Sequence, residues 1–306
     1  MTTSFRRLVV IVNPAASFGR NRHVGPQVVS ALQRAGHRVT VLEDPDQTRL
    51  HDLATAALAD VEAPDALIVV GGDGMVSLGT NLLAEGTIPL GIIPTGTGND
   101  MARGLRIPLD DPAAAISALL GALNEPARAI DVGRVYDGEE AVTWFAGVFS
   151  AGFDAIVNER SNRMRWPRGR SRYNVALVRE LAMLKPIQYR ITLDGTQMHT
   201  RAMLVLAANN TSIGGGMLVT PEAELDDGLF DVLIVQPLGR LAFLRIFPRV
   251  FKGTHITDPR VQIVRARSVR IEADEVVTYA DGERVGALPL RVEIRPRALL
   301  VLTPPQ

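Results

Sequence analysis

Over its first 125 residues the chain alternates short β-branched runs with amphipathic stretches. Apolar runs at residues 8–12, 39–42, 66–70 and 88–93 read as strands, and the stretches at 24–35, 47–59 and 75–85 read as helices between them. Alternation of this kind builds βαβ units around a parallel sheet. An Ala-rich helix follows Asp110-Asp111-Pro112 and runs to about Leu123. From Ala127 the pattern changes. Strand-like runs at 129–135, 141–151, 188–193, 202–208, 230–235, 261–264, 269–272 and 276–280 dominate, separated by turn signals, which predicts an antiparallel, β-rich domain. Helical stretches interrupt it at 173–184 and 241–251, with Pro248 placed to kink or divide the second. The apolar run 298–302 is a strand able to return to the first domain. The expected fold class is therefore α/β plus β: residues 1–127 with 290–306 as the parallel α/β domain, and 128–289 as the β-rich one.

Three of the first four strands run directly into a polar or glycine-rich loop: Asn13-Pro14-Ala15-Ala16-Ser17, Gly71-Gly72-Asp73-Gly74, and Pro94-Thr95-Gly96-Thr97-Gly98-Asn99-Asp100. In an open parallel sheet the carboxyl ends of the strands share one edge, where ligands bind, so these loops converge. The glycines of 71–74 permit positive φ and close backbone approach, letting amides face an anion while a helix N-terminus adds its dipole. Taken alone, that turn also suits a plain strand-to-helix connection. The 94–100 loop adds two hydroxyls, two glycines, an amide and a carboxylate, more small polar groups than a structural turn needs. A dinucleotide fingerprint GxGxxG is absent, because Ser77 and Met101 stand where its last glycine belongs.

Composition narrows the chemistry. The chain has 33 basic and 33 acidic residues and no cysteine, which excludes a Cys nucleophile, a Cys-ligated zinc and a redox pair. The only lysines are Lys185 and Lys252, and neither lies between Gly and Ser or Thr, so a Walker-type P-loop is excluded. The histidines at 23, 37, 51, 199 and 255 show no HExxH spacing, and no GxSxG elbow exists. No charge-free apolar run reaches the roughly 20 residues of a membrane span. The N-terminal apolar run ends in Asn13-Pro14 rather than a cleavage site, so a cytoplasmic protein with peripheral membrane contact is expected. Two segments could make that contact. Residues 160–173, RSNRMRWPRGRSRY, hold six arginines from Arg160 to Arg172 around Trp166, and read either as a solvated loop or as an anionic-membrane contact. Residues 238–255, from Leu238 to His255, interleave large apolar side chains with Arg240, Arg245, Arg249 and Lys252. Zero net charge and few aromatic residues argue against nucleic acid.

The three loops, in this order and spacing, resemble the diacylglycerol kinase catalytic-domain family, which includes bacterial lipid kinases, sphingosine kinases and ceramide kinases. Its first domain is related to those of NAD kinases and phosphofructokinases. The family pattern N-P-x-S-G, G-G-D-G-T-x-N-E and P-x-G-T-x-N-D-F-A-R is matched by Asn13-Pro14, Gly71-Gly72-Asp73-Gly74, and the 94–100 loop followed by Met101-Ala102-Arg103. Further matches are Asp131-Val132-Gly133, Gly152-Phe153-Asp154-Ala155, NNTSIGGGM at 209–217, PEAELDDGLFD at 221–231 and Asp281-Gly282-Glu283. Departures are Met75 in place of Thr, Ser77-Leu78 in place of Asn-Glu, and Val41 where bacterial relatives carry a threonine that touches ATP.

The resemblance implies an ATP-dependent lipid kinase converting diacylglycerol to phosphatidic acid. ATP would lie against Asn13, Pro14, Ser17, Gly71, Gly72, Asp73, Gly74, Met75, Val76, Ser77, Thr95, Gly96, Thr97, Asn99 and Asp100. Glu283, assisted by Asp281, takes the position of the proton acceptor; Asp-Gly-Glu alone is more often a hairpin turn than a catalytic site, and the resemblance reverses that reading. Asp226-Asp227-Gly228 is either a tight turn or a magnesium site made by Asp227 with Glu224 and Leu229. Asp73 would serve a second Mg2+ accompanying ATP. The implied acceptor is a lipid at a membrane surface, with room for a homodimer. The alternatives are a kinase of a sphingoid base, a polyprenol or an NAD-like metabolite, and a non-catalytic lipid or nucleotide sensor on the same fold.

Overall fold

The computed structural model describes residues 5–14, 23–152 and 185–304. Ser17, the arginine-rich segment 160–173 and the helical stretch 173–184 lie outside them. The chain divides into two compact units, Met1–Val132 with Pro296–Gln306, and Gly133–Arg295.

In the first unit β1 (Arg7–Val12), β2 (Arg38–Glu43), β3 (Ala66–Gly71) and β4 (Leu90–Pro94) form a parallel sheet in the order β2-β1-β3-β4. The pairings Val9↔Thr40, Val10↔Ile68 and Val69↔Ile92 set the register. Every residue of β3 and β4 is buried, as expected of central parallel strands covered on both faces. At the sheet edge β2 leaves Val41 exposed. The covering helices include α1 (Val24–Arg34), α2 (Gln47–Leu58) and α3 (Asp73–Leu83), then α4 (Asp100–Gly104) and α5 (Pro112–Ala122). Asp46 and Asp111 cap α2 and α5 by accepting backbone N–H bonds, and Pro112 occupies the first turn of α5, where its missing N–H costs nothing. The short α4 follows the 94–100 loop and has no signature in the pattern. The final strand, β16 (Leu290–Val301), joins this sheet through the parallel pair Val301↔Leu90.

The second unit is built from two sheets. One runs β16-β13-β8-β9, with β13 at Ser268–Glu272, β8 at Ile187–Leu193 and β9 at Thr196–Ala202; β5 (Arg128–Asp137) pairs β16 and β6 (Glu140–Phe145). The other is antiparallel in the order β12-β11-β10-β7-β14-β15, with strands at Val261–Ala266, Phe230–Val235, Leu204–Ala208, Val148–Ala151, Val277–Ala280 and Glu283–Ala287. Phe145, Phe149, Phe230, Val232, Val269 and Val292 belong to one buried cluster of this unit. Phe145 stacks on Phe230 at 5.6 Å, and a Cβ at Gly133 would lie 2.1 Å from the Phe145 ring.

Besides α4 and the short strand β15, which the pattern does not predict, four elements differ from the pattern reading. The run 141–151 is two strands, β6 and β7, in different sheets, because its backbone breaks at Ala146-Gly147. The polar strand β9 carries no apolar alternation and exists through its ladder to β8 across the Asp194-Gly195 turn, whose residues have φ of 46° and 86°. β16 is 12 residues long, well beyond 298–302. Helix α6 (Arg240–Val250) is not divided by Pro248, which sits in its last turn, where the missing N–H leaves only the Leu244 carbonyl without its helical donor.

Candidate active site

The loops after β3 and β4 are locked together. Thr95 N–H donates to Gly71 O at 2.8 Å. The Asp73 carboxylate accepts Asn99 N–H at 2.8 Å and Asp100 N–H at 2.7 Å, so a residue of one loop ties down the start of α4 in the next. Asn99, at φ 53°, closes the loop on itself: its Oδ1 accepts Gly96 N–H at 3.0 Å and its Nδ2 donates to Gly96 O at 3.1 Å. Burial pushes the Asp73 carboxyl above its ordinary range, the Asp100 charge adds to that, and the backbone donors oppose it.

This approach requires glycine. A Cβ at Gly96 would lie 2.4 Å from Gly72 Cα, and one at Gly98 would lie 2.4 Å from Asp73 Oδ2. What stays open is a rim of Gly72, Gly74, Gly96, Thr97 and Gly98 at the start of α3, with the Thr97 side chain exposed. Backbone amides, a hydroxyl and a helix N-terminus suit the phosphates of a nucleotide. Because the glycines let the two loops touch, these groups are held side by side on one rim.

Other expected contacts fall differently. Met75, Val76 and Ser77 are buried in α3; the N–H groups of Met75 and Val76 both bond Gly72 O, and Met75 fills the space beside Gly71. Thr95 and Asp100 are buried as well, and Asn13 and Pro14 end β1 half-buried. Two further side chains reach this site: Arg103, at the end of the motif that follows the 94–100 loop, donates to Gly98 O at 3.1 Å, and Gln47, which the sequence reading does not name, donates to Gly74 O at 3.1 Å. Gln47 opens α2, far from any glycine motif; only the fold brings it here.

In the second unit Glu283 is exposed at the start of β15, after Asp281 and Gly282 at φ 47° and 86°. The Asp281 carboxylate is turned the other way. Its Oδ2 accepts Ala146 N–H at 2.7 Å, and its Oδ1 accepts Gly147 N–H at 2.9 Å and Val148 N–H at 2.8 Å.

The acidic turn expected to hold magnesium is occupied by protein contacts. Asp227 Oδ1 accepts Leu229 N–H at 2.9 Å, and its Oδ2 pairs with Arg265 of β12. Glu224 is exposed, and no group of three or more His, Asp or Glu side chains among the described residues is placed to hold a metal. Since Asp73 is also committed to backbone donors, the carboxylates named for Mg2+ do not form a ready ligand set. The same region holds Asp231, buried at the start of β11, whose carboxyl is pushed up to about 6 by burial first and then by Glu222 and Glu224. An acid inside the otherwise apolar run FDVLIV was the signal for it.

Helix α6 covers a cavity of about 80 Å³, lined by Met203, Met217, Leu233, Phe243, Phe247 and His255 among others. Its outer face shows Leu241 at 85% and Leu244 at 56% exposure, flanked by exposed Arg240, Arg245 and Lys252. No helix among the described residues is long and apolar enough to cross a membrane.

Residues 7–135 match the diacylglycerol kinase catalytic domain, and residues 147–303 match the YegS C-terminal NAD kinase beta sandwich-like domain. A diacylglycerol kinase of Mycobacterium tuberculosis is 39% identical, over 97% of this chain and 95% of its own length. A diacylglycerol kinase of Bacillus subtilis is 30% identical over 93% and 92%. Among solved structures, a diacylglycerol kinase from Bacillus anthracis superposes with a TM-score of 0.73 at 23% identity, covering 98% of this chain and 97% of that one. An NAD kinase from Archaeoglobus fulgidus in complex with ATP has a TM-score of 0.54 at 16% identity, over 96% and 92%. These two share the fold.

Proposed function

The chain belongs to the diacylglycerol kinase catalytic-domain family, and from that membership we propose that it transfers the γ-phosphoryl group of ATP to the hydroxyl of a membrane lipid, with diacylglycerol as acceptor and phosphatidic acid as product. The observation that carries the ATP half is the close approach of the two glycine loops at Gly72, Gly96 and Gly98, which brings their backbone together at the start of α3 and leaves no room for a side chain between them. Phosphoryl transfer asks the protein mainly for positioning and charge neutralisation. Backbone amides of the rim and the Thr97 hydroxyl would hold the phosphates. Glu283, exposed on a fixed turn, would accept the proton of the attacking hydroxyl. Mg2+ bound with ATP would neutralise phosphate charge; it takes oxygen ligands and keeps several waters, so it does not need an all-protein cage.

The lipid half rests on α6. Its exposed leucines and its purely basic charge suit an anionic bilayer surface. The apolar cavity beneath it is a second feature of a lipid-handling surface. The second proposed contact, Arg160 to Arg172, lies outside the described residues. The departures Met75 and Ser77-Leu78, which are the ground for the sensor alternative, are all buried in α3, and Met75 packs beside Gly71.

The test is labelled ATP incubated with vesicles carrying diacylglycerol, a sphingoid base or a polyprenol. Label in phosphatidic acid, and its loss in Glu283→Gln with ATP affinity retained, is the expected result. Label in another lipid reassigns the acceptor; full activity of Glu283→Gln removes Glu283 from the mechanism.

A further inference from the structure

The turn that carries Glu283 is fastened to a distant corner of the second unit. Residues 146–148 have six polar backbone atoms, and all six are bonded to two other segments. Asp281 accepts the three N–H groups at 2.7 to 2.9 Å and donates its own N–H to Val148 O at 3.0 Å. From the other side Asn209, fully buried just past β10, donates Nδ2–H to Ala146 O at 3.1 Å and its N–H to Gly147 O at 2.8 Å, and Asn210 N–H reaches the same oxygen at 3.2 Å.

We propose that Asp281 and Asn209 are positioning residues that act through Glu283, and that Asp281 does not share the transferred proton. The reason is geometric. Each Asp281 oxygen already accepts backbone N–H bonds, and these fix the 281–282 hairpin tip, whose two residues both need the left-handed region. A two-residue hairpin tip held only by its own strands can sway. Fastened through its first residue to a corner that Asn209 immobilises, it delivers Glu283 at one place. Gly147 belongs to the same joint, because a Cβ there would lie 2.8 Å from Asp281 Oδ1.

This inference rests on the reading of Glu283 as proton acceptor, and a mutant cycle separates the two. Asp281→Asn and Asn209→Ala should each lower kcat by about 10²-fold, the scale of a misplacement near 1 Å, with the KM for ATP little changed. Placed in the Glu283→Gln background, the same substitutions should leave the residual rate within a factor of about 2, since the group they position is already gone. Equal losses in both backgrounds, or an unchanged kcat in either single variant, overturn the proposal. Full activity of Glu283→Gln overturns the underlying reading and this proposal with it. Should Asp281→Asn not fold, as judged by circular dichroism, Gly147→Ala perturbs the joint from the opposite side and carries the same expectation.

Discussion

Replacing Gly96 by alanine tests whether the two glycine loops form one cradle. The new Cβ would stand 2.4 Å from Gly72 Cα and 2.7 Å from Asn99 Oδ1, against 3.4 Å or more for an ordinary contact. The loops must therefore separate by about 1 Å, and the Gly96 N–H bond to Asn99, now 3.0 Å, is strained or lost. Overpacking of this kind costs about 1–3 kcal/mol of stability. The functional loss should be larger, because a misplacement of roughly 1 Å in a positioning site costs about 10²-fold in rate. The assay is steady-state phosphorylation of diacylglycerol vesicles at varied ATP, with thermal melting alongside. A fall of about that size in kcat/KM for ATP is expected, with a melting temperature a few degrees lower. An unaltered KM for ATP together with an unaltered melting temperature would refute the cradle.

Gly121 supplies the contrast: it lies in α5 with nothing within 4 Å of a built Cβ, so Gly121→Ala should stabilise by about 0.5–1 kcal/mol in urea unfolding and leave activity alone. Asp231 should make stability depend on pH. Its pKa rises on folding from 3.8 to about 6, so the native state favours the protonated form, and the stability present below pH 4 is lost as pH climbs through 6. The shift corresponds to about 3 kcal/mol, so Asp231→Asn should match the native chain near pH 4 and exceed it by up to that amount at pH 8; parallel urea-stability curves would contradict this. On the outer face of α6, Leu241→Asp with Leu244→Asp should abolish flotation with anionic vesicles, since burying each leucine is worth about 1.5–3 kcal/mol. Raised salt should weaken the same binding through Arg240, Arg245 and Lys252; flotation unchanged by either treatment would exclude α6 as the contact.

The parallel sheet was legible because β3 and β4 are buried on both faces and so read as unbroken apolar runs, and because the glycine and Asn punctuation after them is local chemistry. The break of 141–151 was not legible. Gly147 is the only local sign of a corner in that run; the Asp281 carboxylate, 133 to 135 residues away in sequence, fixes it by taking three consecutive amides. β9 was missed for a related reason, since a polar edge strand is stabilised by its partner's ladder rather than by its own pattern.

The site divides along the same line. Which residue types can face a phosphate is a property of short segments, and glycine, threonine and asparagine after a strand state it in the sequence itself. Which of those groups remain available is a property of packing. Burial withdrew Met75, Val76 and Ser77 from the rim, Arg265 pairs with Asp227, and backbone donors orient Asp73 and Asp281, because buried polar groups must find partners and only the tertiary structure decides which partners those are.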